Sequence, residues 1–158
     1  MTSEKKQEFT RKITAANRAQ LITVIYEIIL TSLEEAGEAL TAGHDEQYEQ
    51  ALRRARKCLD HLLSALDMQY ELSLTLQNMY LICKKKLMLA QAGHDEKQLH
   101  ETAGMITRLH DAWKQIEVLD HSEAGFDNAQ TVYAGLTYGR GTLNESISDP
   151  AANRGFLG

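Results

Sequence analysis

Proline is almost missing from this chain: Pro150 is its single occurrence in 158 residues. Everything before it escapes the strongest interruption of an α-helix, since no residue there lacks its amide donor or crowds the preceding turn. Glycine is scarce until late, and six of the ten (Gly125, Gly135, Gly139, Gly141, Gly155 and Gly158) follow Asp120. The chain divides accordingly into a helical body, residues 1–119, and an irregular Gly-rich tail, residues 120–158. No window approaches roughly 18 uninterrupted apolar residues, which argues against membrane insertion. The opening "MTSEKKQEFTRK" is charged and lacks the apolar segment of a secretory signal. The only two cysteines, Cys58 and Cys83, fall on apolar helical stripes. Buried thiols in a reducing cytoplasm are expected there rather than a disulfide. Cationic excess is lacking too, and the net charge of −5 argues against general nucleic-acid binding. The clusters "RRARK" (Arg53–Lys57) and "KKK" (Lys84–Lys86) sit inside amphipathic patterns and read as solvated faces.

What is present is helical periodicity. One run carries Leu21, Ile25, Ile28, Ile29, Leu33, Ala36 and Leu40; a second carries Tyr48, Leu52, Ala55, Leu59, Leu62, Leu63 and Leu66. A third carries Leu72, Leu76, Met79, Tyr80, Cys83, Leu87 and Ala90, and a fourth Leu99, Ala103, Ile106, Leu109, Trp113 and Ile116. Strand-like alternation is confined to "LSLTL" (Leu72–Leu76), which is too short to outweigh the helical run around it. Four long helices with brief joints predict an all-α fold, an antiparallel four-helix bundle. The pattern leaves room for a short extra helix before Asn17. Joints are expected near Gly43, Asp67 and Gly93.

The pentapeptide "AGHDE" occurs twice, ending at Glu46 and at Glu96. Each copy follows a helical run and precedes another. Glycine suits the left-handed position after a helix, and Asp45 and Asp95 suit the N-cap of the next one. Glu46 and Glu96 favour the positive end of the helix dipole. The repeat therefore reads as stop, turn and start for two helical hairpins.

A metal site is the competing reading of the same string. Di-iron bundles use Glu-x-x-His pairs, yet none of the six histidines has an acid three residues before it. No His-Glu-x-x-His zinc motif, Gly-rich phosphate loop or G-x-S-x-G elbow is present. His61 and His110 lack the motif of a phosphotransfer bundle. No catalytic residue, metal ligand or cofactor site is assigned, and the expectation is a protein that is not an enzyme and needs no cofactor.

The bundle has more apolar residues than one core face requires. The third run adds Leu74, Leu81, Ile82, Met88 and Leu89 to its main stripe, and the first adds Ile22, Val24 and Leu30. Either these helices are central and covered on two sides, or part of the surplus forms a groove for an amphipathic partner segment. Periodicity alone does not separate the two.

The stretch "NRAQLITVIYEIILTSLEEA" resembles the opening helix of the flagellar secretion chaperones, the FliS family. Three later landmarks fall in the same order: "LLSALD", "LTLQNMYLICKKKLMLAQAGHDE" and "LHDAWKQI". The resemblance spans about Phe9 to Glu117. Asn17-Arg18 replaces the usual Ser-Pro, Ile25-Tyr26-Glu27 replaces Leu-Tyr-Asp, and Phe9 stands near the place of an expected arm tyrosine. The resemblance implies a cytoplasmic chaperone that binds the disordered C-terminal segment of flagellin, prevents premature polymerisation and delivers the subunit to the flagellar type III export apparatus. Components of the export gate are implied as further partners. The alternative is a non-catalytic structural or adaptor bundle binding another amphipathic helical partner. A flagellin segment would meet apolar residues on or beside the stripes: Ile22, Tyr26, Leu52, Ala55, Leu74, Met79, Tyr80 and Leu81. Within the tail, Val132, Tyr133, Leu136 and Tyr138 of "TVYAGLTYG" are expected to dock on a bundle. Both a monomer and a homodimer are compatible with the sequence.

Overall fold

The computed structural model describes residues 1–122, and all of its regular structure there is helical. Five helices follow one another: α1 (Ser3–Ala15), α2 (Arg18–Ala42), α3 (Asp45–Ala65), α4 (Glu71–Gly93) and α5 (Glu96–Ser122). Helix α2 packs on α3 and α5, α4 packs on the same two, and α1 lies on α2. The result is the up-and-down four-helix bundle that the periodicity predicts, with the short extra helix in front. Val132, Tyr133, Leu136, Tyr138 and the rest of the Gly-rich segment lie outside the described residues.

Local chemistry sets the helix ends. Asn17 accepts from the Gln20 amide at 2.9 Å while the Gln20 side chain accepts from the Asn17 amide at 3.0 Å, a complete capping box. That is why α2 starts cleanly with Asn17-Arg18 at its head. Helix α3 gives way at Leu66, and Asp67 accepts from the Gln69 amide at 3.1 Å in the joint to α4.

The two "AGHDE" turns are less alike than their sequences. In the first, Gly43 takes the left-handed conformation (φ 71°) and its amide bonds back to Ala39 and Leu40. Asp45 is then the first residue of α3, and His44 occupies the N-cap without a side-chain bond. In the second, α4 continues through Gly93, and His94 takes the left-handed position (φ 50°). There Asp95 does cap α5, accepting from the Lys97 amide at 2.9 Å. The expected capping role thus fits Asp95 and is corrected for Asp45. The turns meet at one end of the bundle. The His94 ring stacks on Tyr48 at 5.3 Å, and Tyr48 donates to the Ala90 carbonyl at 2.7 Å. This tertiary contact holds a histidine where a glycine would otherwise be preferred.

Two glycine substitutions should separate in sign. At Gly43 a Cβ meets open space but the backbone is left-handed, so Gly43→Ala should cost about 1 kcal/mol. Gly104 sits mid-helix with open space around it, so Gly104→Ala should gain about 0.5–1 kcal/mol. Thermal melts of the two variants check this, with a rise of a few degrees expected for the second.

The core runs the length of the bundle. Its largest fully buried side chains include Tyr26, Tyr48, Tyr80, Leu52 and Leu59. Tyr26 of α2 and Tyr80 of α4 face each other across the diagonal, with hydroxyls 2.6 Å apart. Cys58 and Cys83 are buried free thiols, pushed up to about 12 and about 11 by burial. Neither is poised as a nucleophile. The "RRARK" cluster is not wholly a solvated face. Arg54 turns inward, donating through Nε to Ser32 Oγ at 2.9 Å and pairing with Glu35. A buried guanidinium needs such partners.

Candidate functional site: the outer face of the fourth helix

Most large apolar side chains of the described residues are inside, but seven are exposed: Met68, Leu72, Leu74, Leu81, Ile82, Met88 and Leu89. Six belong to α4 and Met68 lies just before it. Leu74, Leu81 and Met88 are seven residues apart, as are Ile82 and Leu89. Seven residues make about two turns, so each set forms a line along the helix. The inward face of α4 is a separate stripe of Ser73, Leu76, Tyr80, Cys83, Leu87 and Ala90. Helix α4 is therefore apolar on two sides, and its outer side gathers five large apolar side chains that are about half exposed.

Of the eight residues named from the sequence, the structure brings Leu74 and Leu81 onto this face and leaves Met79 half-buried at its edge. Ile22, Tyr26, Leu52, Ala55 and Tyr80 are inside the bundle, each with essentially no exposed surface. Ile82, Met88 and Leu89 join the face. Their signal in the sequence is the apolar surplus of α4 beyond its main stripe. The same surplus in α2 went the other way: Ile22 and Val24 are buried and Leu30 packs against the core. Helix α2 has α1, α3 and α5 around it, whereas among the described residues α4 packs chiefly on α3 and α5 and meets α2 across the diagonal. The extra helix covers one surplus and leaves the other open.

Charge on the face is sparse. Lys84 pairs with Asp60 of α3 and Lys86 with Glu101 of α5, so these two tie α4 to its neighbours. Lys85 is exposed between the apolar lines and makes no ion pair among the described residues. The face can offer dispersion contact and desolvation along two turns or more, with one cation in the middle. A concavity of about 850 Å3 lies between α2 and α5, away from this face, and is lined by Leu30, Leu33, Gly37, Leu99 and Ala103, with Glu34 and Glu38. Among the described residues no group of three or more His, Cys, Asp or Glu is placed to hold a metal. None of the described helices is long and apolar enough to cross a membrane.

Helix α1 is fastened by Phe9, which is buried, by the Met1 ammonium 3.0 Å from Glu35 of α2, and by a polar clasp around Glu27. Lys12 donates to Glu27 at 2.8 Å and lies 3.1 Å from Glu8; His110 of α5 stands 3.5 Å from Glu27 on the other side. Burial alone raises the Glu27 carboxyl, but the hydrogen bond and charge of Lys12, with His110 behind them, outweigh it and hold it below the ordinary value. The hydrogen bond from Glu27 likewise raises Lys12 against the opposing effect of burial. A depressed acid contributes stability above its ordinary pKa of 4.5 and loses it as pH falls through the folded value. A raised amine holds its contribution below 10.5 and loses it only above the folded value. The clasp is thus intact between these limits. Glu27→Gln should weaken α1 docking by about 0.5–1 kcal/mol. The expected result is several-fold faster amide exchange in α1 at pH 7 with α2–α5 unchanged.

Residues 1–120 match the family described as "Flagellar protein FliS". The chain is also similar to the "Flagellar secretion chaperone FliS" of Bacillus subtilis (strain 168), 27% identical over 103 residues, which are 65% of this chain and 77% of that protein. Apart from the last two residues of α5, the whole five-helix body lies within the family match. With most of its length matched, and with the ordered landmarks falling on α2, α3, α4 and α5, the chain belongs to the FliS family of flagellar secretion chaperones.

Proposed function

We propose that this protein is a cytoplasmic export chaperone that binds the disordered C-terminal segment of flagellin, blocks its premature polymerisation and hands it to the flagellar type III export apparatus. The observation that carries this reading is the uncovered apolar face of α4. A polymerising end is an amphipathic segment that must be shielded until export. A helix offering two parallel apolar lines accepts such a segment as it folds onto the bundle. The ordering entropy lost in coupled folding keeps the complex releasable without nucleotide. In this reading Leu74 and Leu81 touch the client, Met79 borders the contact, and Met88 adapts its shape to it. Ile22, Tyr26, Leu52, Ala55 and Tyr80 serve from inside by fixing the position of α4. No catalysis, metal or cofactor is required, and contact with export gate components follows capture.

Titration calorimetry with a purified flagellin C-terminal peptide tests the reading. Binding at tens of micromolar or tighter is expected, with a negative heat-capacity change from apolar burial. Dialysis against a chelator should leave both the affinity and Tm unchanged. Absence of heat at those concentrations, with another amphipathic helical peptide bound instead, would favour the adaptor alternative.

A further inference from the structure

We propose that, when no client is bound, residues 131–139 of the same chain, "TVYAGLTYG", lie along the outer face of α4. Only the competition described below rests on the function proposed above; the docking itself does not. Three observations converge on this segment. The face is open and begins at Leu74, in the first turn of α4. Helix α5 runs antiparallel to α4, with Lys86 reaching Glu101 and Cys83 Sγ 4.0 Å from Met105 Sδ. Its backbone continues to Ser122, so the following residues leave the bundle at the end where the face begins.

The lengths agree. Nine residues separate Ser122 from Val132, enough to span about 30 Å when extended. The face from Leu74 to Met88 is about 20 Å long at the helical rise. Laid out extended, "TVYAGLTYG" puts Val132, Ala134, Leu136 and Tyr138 on one side, and these four positions span about 20 Å as well. Gly135 and Gly139 disfavour a helix at the same place. The chemistry agrees too. Residues 131–139 carry no charge themselves, as suits an apolar face, and the flanking residues 123–158 carry Glu123, Asp127, Glu145 and Asp149 against Arg140 and Arg154, a net negative balance on the chain that would run near Lys85. A second copy docked on the same face would bring two Lys85 ammoniums close to the crossing point, which is the less favourable contact. The family match ends at residue 120, so this cover belongs to the part of the chain outside that match.

The test is photo-crosslinking in the full chain with benzoylphenylalanine at Leu81, an exposed position, irradiated without client and read by mass spectrometry. Crosslinks within one molecule to the peptide bearing residues 131–139 are expected. Crosslinks between two molecules, or only to residues of the bundle, would overturn the inference. In the variant Val132→Ser/Leu136→Ser/Tyr138→Ser the crosslink to that peptide should drop about tenfold with the far-ultraviolet circular dichroism unchanged; an undiminished crosslink also overturns it. If the flagellin peptide is then added, it should remove the crosslink in the parent, and the triple variant should bind it about 3- to 10-fold more tightly, because a competing state has been removed. A parent that shows the crosslink but binds no flagellin peptide supports the docking and refutes the proposed function alone.

Discussion

Leu81→Glu combined with Met88→Glu should abolish capture of the flagellin C-terminal segment, weakening it at least about 100-fold. Both side chains are open in the free protein, at 49% and 60% exposure, so neither carboxylate has to be desolvated by folding. Stability should shift by less than about 0.5 kcal/mol per site. Binding is different. A client lying along the line Leu74–Leu81–Met88 would have to strip water from two carboxylates with only Lys85 nearby. Burying an uncompensated charge at the centre of an interface costs several kcal/mol. The double variant therefore separates the two contributions of α4: calorimetry should show no detectable heat while Tm stays within about 4 °C. Retained affinity would move the client off this face, and the groove between α2 and α5 would become the next place to look.

Tyr80→Ala should have the largest effect on folding, a loss of about 3–5 kcal/mol in urea denaturation. Tyr80 has no exposed surface, and its hydroxyl meets that of Tyr26 across the bundle diagonal. Removing the ring opens a cavity between α2 and α4, which otherwise communicate mainly through α3 and α5. Leu81→Ala, one residue further along the same helix, should cost less than about 0.5 kcal/mol. The contrast between neighbours tests the rotation of α4 directly. Similar losses at both positions would mean that the helix is turned about its axis relative to the bundle. Because α4 is apolar on both sides, such a rotation is the error that hydrophobicity alone does least to prevent.

Much of the architecture was legible in residue order. Asn17 and Gln20 cap α2, and the joints fall at Gly43, at Asp67 and at Gly93 with His94, where the sequence placed them. Five of the eight residues named for client contact proved to be internal, and the reason is geometric. A helical stripe reports that a residue is apolar and which others share its side; it carries no information on how many neighbours surround the helix. Tyr80 and Leu81 are adjacent in sequence and point about 100° apart, one to the core and one to solvent.

The sequence by itself determined the all-helical body, the number of long helices and the places of their joints, because caps, glycine turns and period 3.6 act over a few residues and need no distant partner. Tertiary structure alone decided two things. It distinguished the twin "AGHDE" turns, putting Gly43 in the left-handed position in one and His94 in the other, where the histidine ring stacks on Tyr48. It also decided which surplus apolar face stays open. Ile22 and Val24 are covered in a bundle where α1 joins α3 and α5 around α2, whereas Leu74, Leu81 and Met88 of α4 have none of the described helices above them. Burial is a property of the whole packing arrangement, set by which helices surround a given one, and local sequence specifies only what each helix brings to it.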